Sequence, residues 1–278
     1  MKFQKMHGLG NDFILFNDIS LLKYDLPGLA IKLCDRHQGI GADGIILILP
    51  SEVADVKMRI INSDGSEANM CGNGIRCFAK YVFDNKINTA RSFTIETGAG
   101  IMVPELITEN GKVLSVKVNM GAPALDRALI PMTGNGGNVI NETLLVGSTE
   151  YKITSLLMGV PHTVLFVDSI QEVDIVSIGK EIEKHPSFPL KTNVNFVEVI
   201  NQSEIKVRTW ERGAGSTLAC GTGSCASAVA ACLNGKTGTE VIVHLTLGDL
   251  YIQWTDGVVF MTGIAEHVFE GLLEIDYL

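Results

Sequence analysis

The sequence predicts an α+β protein of two pseudo-symmetric, sheet-rich domains, each with one heavily buried helix. Three observations predict it. The length of 278 residues fits two modest domains at roughly 150 residues each. Many apolar runs have strand length, whereas few segments read as helices. The chain also repeats itself. Hydrophobic residues make up 46% and charged residues 19%, enough to bury a core and too apolar for a disordered chain.

The repeat organises the rest. CGNGIRCFAKYV begins at Cys71 and CGTGSCASAVAA begins at Cys220, 149 residues later. MRIIN (Met58 to Asn62) and VRTWE (Val207 to Glu211) match at the same spacing, so Asn62 and Glu211 each stand nine residues before their cysteine. Thr97 closing SFTIET matches Thr246 closing VIVHLT, and FILFND from Phe13 resembles TVLFVD from Thr163 at a spacing of 150. Matches in the same order at one spacing predict a single unit used twice, over about residues 1 to 105 and 150 to 255. The resulting domains are 1–118, completed by about 264–278, and 119–263.

FILF, GIILIL, VKMRII, FTIE and VLSVKV in the first half, and TVLFV, NFVEVI and VIVHL in the second, read as strands. IRCFAKYVF after Gly74 and SCASAVAACLN after Gly223 are rich in helix formers. Gly235 sits where a helix-ending glycine belongs, and Ala226, Ala228 and Ala231 suit a helix packed closely inside a sheet. GIGADG (Gly39 to Gly44) has the spacing of a dinucleotide fingerprint, but IILIL after it reads as a strand, so no helix start is available for a pyrophosphate. GAGSTLACGTGS lacks the Gly-Lys-Ser/Thr of a phosphate loop.

The net charge is −9 with no run of like charges, which argues against nucleic acid as a partner. The longest apolar stretch, Gly44 to Pro50, falls far short of the roughly 20 residues that cross a bilayer, so no membrane partner is expected. The N-terminus has no secretory pattern, and a cytoplasmic location with reduced thiols is the expectation. The six cysteines are then neither a disulfide framework nor a zinc site, because C-x5-C and C-x4-C are poor ligand spacings and no His pair lies nearby.

Cys34, Cys77, Cys225 and Cys232 read as packing. Cys71 and Cys220 stand at the start of each repeated helix, where unpaired N–H groups and the helix dipole are expected to lower a thiol pKa and attract a carboxylate. Gly72, Gly74, Gly221 and Gly223 leave those amides uncovered. Two matched thiols, one from each domain, suit inversion of a stereocentre: one removes a proton from one face and the other returns a proton to the opposite face. Amides at the helix starts would stabilise the carboxylate as it gains enediolate character. This chemistry implies no cofactor and no metal.

These residues resemble the diaminopimelate epimerase family. The resemblance rests on MHGLGNDFI (Met6 to Ile14), GIGADG, INSDGSEANMCGNGIRC (Ile61 to Cys77), TNVNFV (Thr192 to Val197) and ERGAGSTLACGTGSCA (Glu211 to Ala226), in the family's order across nearly the whole chain. It implies an α+β fold in which each domain is a curved, mostly antiparallel sheet around a central helix, and cofactor-independent epimerisation of LL-2,6-diaminopimelate to the meso form, in lysine and peptidoglycan precursor biosynthesis, with the active site in the interdomain cleft and a homodimer as a possible assembly. Carried over, Cys71 and Cys220 are the two bases. Gly72, Asn73, Gly221 and Thr222 hold the reacting carboxylate, and Asn11, Asn62, Asn193 and Arg212 bind the rest of a diamino dicarboxylic acid. Arg212 suits the distal carboxylate because its guanidinium is a bidentate donor. Glu211 would accept from the substrate ammonium and, with His162, tune the thiols.

Duller roles fit some of these residues. The three asparagines suit turns, Arg212 and Glu211 suit a surface pair, and His162 suits a satisfied loop position. The chain also departs from the family where Gly-Asn-Pro-His is usual: it has Gly159, Val160, Pro161 and His162, so an amide is missing at Val160. Some members carry Gln in place of Gly44. The alternatives kept open are a proline racemase-like or other amino-acid racemase, a non-catalytic amino-acid-binding protein, and a thiol redox enzyme.

Overall fold

The computed structural model describes residues 1–274; the part of the expected domain-completing tail at 275–278 lies outside the described residues. The chain divides into two compact units, Met1–Val118 together with the segment from Thr262 onward, and Asn119–Met261. Both are rich in sheet, with four α-helices in the described chain.

In the first unit the strands are β1 (Lys2–Gly8), β2 (Asn11–Phe16), β3 (Gly44–Leu49), β4 (Val56–Asn62), β5 (Glu67–Ala68), β6 (Ile95–Thr97), β7 (Gly100–Met102) and β8 (Glu105–Glu109), with β9 (Lys112–Gly121) running over its boundary. The second unit carries β10 (Val139–Val146), β11 (Thr149–Met158), β12 (Val160–Val167), β13 (Asn193–Asn201), β14 (Glu204–Glu211), β15 (Gly215–Thr217), β16 (Glu240–Leu245) and β17 (Gly248–Thr255), with β18 (Val258–Gly263) running over its end. The last strand, β19 (Glu266–Leu272), returns to the first unit and pairs antiparallel with β1. The helices are α1 (Leu26–Cys34), α2 (Gly72–Asp84), α3 (Ile175–Glu183) and α4 (Gly221–Leu233).

The first sheet runs β19-β1-β2-β3-β4-β6-β7 with β5 on β4, and the second unit's strands follow β10-β11-β12-β13-β14-β16-β17-β18 with β15 on β14. Most pairings are antiparallel, but β2–β3 and β4–β6 are parallel in one unit, and β12–β13 and β14–β16 in the other. The repeat is therefore visible in topology. It is also visible in register: Ile60 pairs with Ala68 and Thr209 with Thr217, each 149 residues from its counterpart. Seven of the eight apolar runs named above lie within strands, including IILIL inside β3, and FTIE enters β6 only at Ile95.

The two helices missing from the sequence reading obey the same repeat. α1 and α3 are both nine residues long and 149 residues apart. Pro27 and Gly28 in the first turn of α1 mask its periodicity, and Ile175, Val176 and Ile178 give α3 a strand-like composition. Their existence comes from packing: α1 lies on β3 and β4, and α3 on β13 and β14. Leu29, Ala30 and Leu33 join Phe16, Ile45 and Leu47 in one core, while Ile175 and Ile182 join Val194 and Phe196 in another. α4 packs against β11, β12, β13, β14, β16 and β17, and its small side chains, Ala226, Ala228, Ala230 and Ala231, are buried among them. It ends at Leu233, with Gly235 at φ +66° closing the turn.

Candidate active site

Cys71 caps α2 and Cys220 caps α4, each with extended backbone. The sulfur itself is the capping group. Cys71 Sγ accepts from the Gly74 N–H at 3.4 Å and Cys220 Sγ from the Gly223 N–H at 3.3 Å. The Ile75 and Ser224 N–H groups begin the helical ladders on the carbonyls of Cys71 and Cys220. Gly72, Asn73, Gly221 and Thr222 thus supply the first N–H groups of each helix, the ones without an intrahelical acceptor. These two helix starts can each hold an anion beside a sulfur.

In the first unit, Cys71 Sγ donates to Asn11 Oδ1 at 3.6 Å. Asn11 opens β2, and its Nδ2 donates to Asp43 Oδ2 at 2.7 Å. Asn73 is buried and donates from Nδ2 to the same Asn11 oxygen at 3.1 Å. Asn62 ends β4 and donates to Ser66 Oγ at 3.0 Å, closing the turn to β5, as the turn reading expects. Gly44 leaves no open place from which a longer side chain has been removed. A Cβ there would lie 2.8 Å from the Ile61 carbonyl oxygen of β4, so a glutamine at this position needs a shift of backbone.

In the second unit, Cys220 is buried, and Thr222 Oγ1 lies 3.5 Å from its sulfur. Glu211 ends β14, and its Oε1 accepts from Thr217 Oγ1 at 2.6 Å. Burial raises the Glu211 carboxyl, while hydrogen bonds from Thr217 and Cys220 pull it back. The expected lowering of the Cys220 pKa is corrected here. Burial pushes this thiol up, and the adjoining Glu211 carboxylate pushes it further, outweighing the Thr222 and Gly223 hydrogen bonds. The helix start alone does not decide the ionisation.

Asn193 and Arg212 meet through backbone. Asn193 Nδ2 donates to the Pro161 carbonyl at 3.0 Å, and its Oδ1 accepts from the Arg212 N–H at 2.8 Å. The guanidinium of Arg212 is exposed and donates to the Leu190 carbonyl at 2.7 Å. Val160 opens β12 half-buried and offers no side-chain donor. The end of β14 and the loop after it also lean on Glu183, a buried carboxylate that accepts from Trp210 Nε1 at 2.8 Å and from the Gly213 N–H at 3.3 Å.

His162 is fully buried on β12. Its Nδ1 lies 3.1 Å from Asn195 Nδ2, and Asn195 Oδ1 accepts from Thr209 Oγ1 at 3.0 Å. Nε2 has no hydrogen-bond partner among the described residues. Burial, and after it the Arg212 charge, lowers the ring pKa to about 3. The histidine is therefore neutral at pH 7. In the unfolded chain it binds a proton near pH 6.5, so stability falls as pH drops below that value, by about 1.4 kcal/mol per pH unit down to about pH 3. His162→Asn should remove this contribution, seen as a shallower dependence of the urea midpoint on pH between 6.5 and 4.

Sequence reasoning missed Asn195, Thr209, Thr217, Asp43, Arg76 and Glu183. Two of them carried a readable signal: Asn195 lies two residues after Asn193 and so on the same face of β13, and Asp43 stands inside GIGADG. Among the described residues no cluster of His, Cys, Asp or Glu could hold a metal, and no helix is long and apolar enough to cross a membrane.

The fold is shared with solved structures of low sequence identity. A probable proline racemase from Agrobacterium radiobacter matches over 99% of this chain and 93% of its own at TM-score 0.71 with 15% identity. A PhzF-family phenazine biosynthesis protein from Bacillus anthracis matches over 99% of both chains at TM-score 0.71 with 17% identity. The family model for diaminopimelate epimerase matches residues 3–125 and 154–268. The diaminopimelate epimerase of Pelotomaculum thermopropionicum is 54% identical over 98% of both chains, and that of Methanococcus maripaludis 50% identical over 99% of this chain and all of its own. The chain belongs to the diaminopimelate epimerase family, a family of amino-acid epimerases.

Proposed function

We propose that the chain epimerises LL-2,6-diaminopimelate to the meso isomer without a cofactor, with Cys71 and Cys220 as the two proton-transfer groups. The observation that carries this reading is the matched pair of helix-capping sulfurs, each held by the third residue's N–H, in a chain of this family. One thiolate takes the α-proton, breaking C–H and forming S–H, while the other thiol delivers its proton to the opposite face. The proton count is conserved. Amides of Gly72, Asn73, Gly221 and Thr222 hold the α-carboxylate as negative charge flows into it. Arg212 takes the distal carboxylate, and Asn11, Asn62 and Asn193 orient the chain between the two ends. The product serves lysine and peptidoglycan precursor synthesis.

Cys220 and Glu211 act as a unit. Burial disfavours charge on both, so the proton rests on sulfur, and Glu211 is the adjoining carboxylate able to accept it when the thiolate is needed. Glu211→Gln keeps a hydrogen-bond acceptor but removes the group that can take up the proton, and should lower kcat by about 10²-fold, measured by conversion of LL-diaminopimelate under reducing conditions. The assignment itself is tested by incubating the reduced enzyme with LL-diaminopimelate and with L-proline and following product stereochemistry. Meso-diaminopimelate should form and D-proline should not; turnover of proline alone would move the chain to a racemase of the cyclic imino acid.

A further inference from the structure

Four side chains in the first unit form a continuous hydrogen-bonded row. Asp43 Oδ2 accepts from Asn11 Nδ2 at 2.7 Å, Asn11 Oδ1 accepts from Asn73 Nδ2 at 3.1 Å, and Asn73 Oδ1 accepts from Arg76 Nη2 at 3.0 Å. An amide alone can face either way, since its oxygen and nitrogen differ little in shape. The ends of this row remove that freedom. An ionised carboxylate only accepts and a guanidinium only donates, so both amides must donate toward Asp43. Arg76 is itself fixed: it is fully buried and donates to the Gly72 carbonyl and the Ile264 carbonyl, each at 3.1 Å. Asp43 is anchored by the Asp12 N–H at 3.1 Å and by Arg36 Nη2 at 2.9 Å.

We propose that Asp43 and Arg76 are positioning residues for Cys71: as the pure acceptor and pure donor ending this row, they force the Asn11 carbonyl oxygen, rather than its NH2, onto the Cys71 sulfur. The oxygen gives the thiol proton an acceptor at 3.6 Å while the sulfur accepts the Gly74 N–H at 3.4 Å. The protonated sulfur is thus held in one rotamer with its hydrogen directed. With the Asn11 amide reversed, its NH2 would face the sulfur and favour the thiolate instead. The second unit has no such row; there Cys220 meets Glu211 and Thr222. The two sulfurs, alike in sequence context, are held by different chemistry. The inference rests on the two-cysteine reading for its consequence in turnover, though not for its geometry.

Difference Raman spectroscopy of the S–H stretch tests it on the reduced, full-length protein. Subtracting the spectrum of Cys71→Ser isolates the Cys71 band. A hydrogen-bonded thiol absorbs at lower frequency than a free one, and the wild-type band should be shifted that way. In Asp43→Asn the end group can donate as well as accept, so the band should broaden, move toward the free thiol or weaken as thiolate forms, and kcat should fall about tenfold with a smaller change in KM. Arg36→Gln, which removes an ion pair from Asp43 outside the row, should leave the band in place. A free-thiol band in the wild type, or an unchanged band in folded Asp43→Asn, overturns the proposal; should that variant not fold, the wild-type band decides alone. If the wild type shows the shifted band but does not epimerise diaminopimelate, the functional reading fails while the geometric one stands.

Discussion

Replacing Cys71 or Cys220 with alanine should lower epimerisation of LL-diaminopimelate by about 10³-fold, the scale set by loss of one positioned acid or base. Under the proposed two-thiol mechanism both sulfurs would serve one carbon in a single exchange of protons, so their contributions should not add. The double variant Cys71→Ala, Cys220→Ala should be little worse than either single one, since removing one member of a unit already disables it. Steady-state rates from a stereospecific assay of the meso product check both statements. Losses that multiply in the double variant would mean that each sulfur works alone.

The second large effect is expected at a glycine. A Cβ built on Gly223 would stand 2.5 Å from Asn195 Oδ1, 3.1 Å from Cys220 Sγ and 3.2 Å from Thr209 Oγ1. All three belong to the buried polar cluster around Cys220, and Asn195 is held between His162 and Thr209. Gly223→Ala must displace the sulfur or split that cluster. Overpacking of this kind costs about 1–3 kcal/mol, and a catalytic group moved by about 1 Å costs about 10²-fold in rate. Gly74 is the repeat's counterpart, and there the same Cβ meets Ile46 Cδ1 at 3.3 Å, Cys71 Cβ at 3.4 Å and Ile60 Cδ1 at 3.4 Å. Two of these are methyl tips that can turn away. Gly74→Ala should therefore unfold at a urea midpoint closer to wild type and retain more activity than Gly223→Ala.

Much of the architecture was legible because duplication writes the same information twice. Seven of the eight apolar runs became strands, and Cys71 and Cys220 became helix caps, since strand period and a cysteine before glycine-rich helix starts are local signals. α1 and α3 were not legible by composition, as Pro27, Gly28 and the β-branched residues of α3 hide a periodicity that tertiary packing enforces. The repeat spacing alone would have linked them. Ionisation was the weakest inference. A helix start argues for an acidic thiol, but whether Cys220 is buried and which end of Glu211 it meets depend on strands distant in sequence. The same holds for His162, whose neutrality follows from complete burial beside Asn195. The row from Asp43 to Arg76 joins residues from a loop, a strand and a helix, so no spacing in the sequence announces it.

One measurement reaches the centre of this account: LL-diaminopimelate converted by the reduced enzyme in deuterated water, sampled early, with deuterium at the α-carbon read separately in substrate and product. Two opposed thiols predict meso product carrying solvent deuterium at the inverted carbon while unreacted LL substrate stays protiated. Deuterium appearing in LL substrate as fast as in product, with configuration retained, would mean that one group serves both faces, and the two-sulfur account would be wrong.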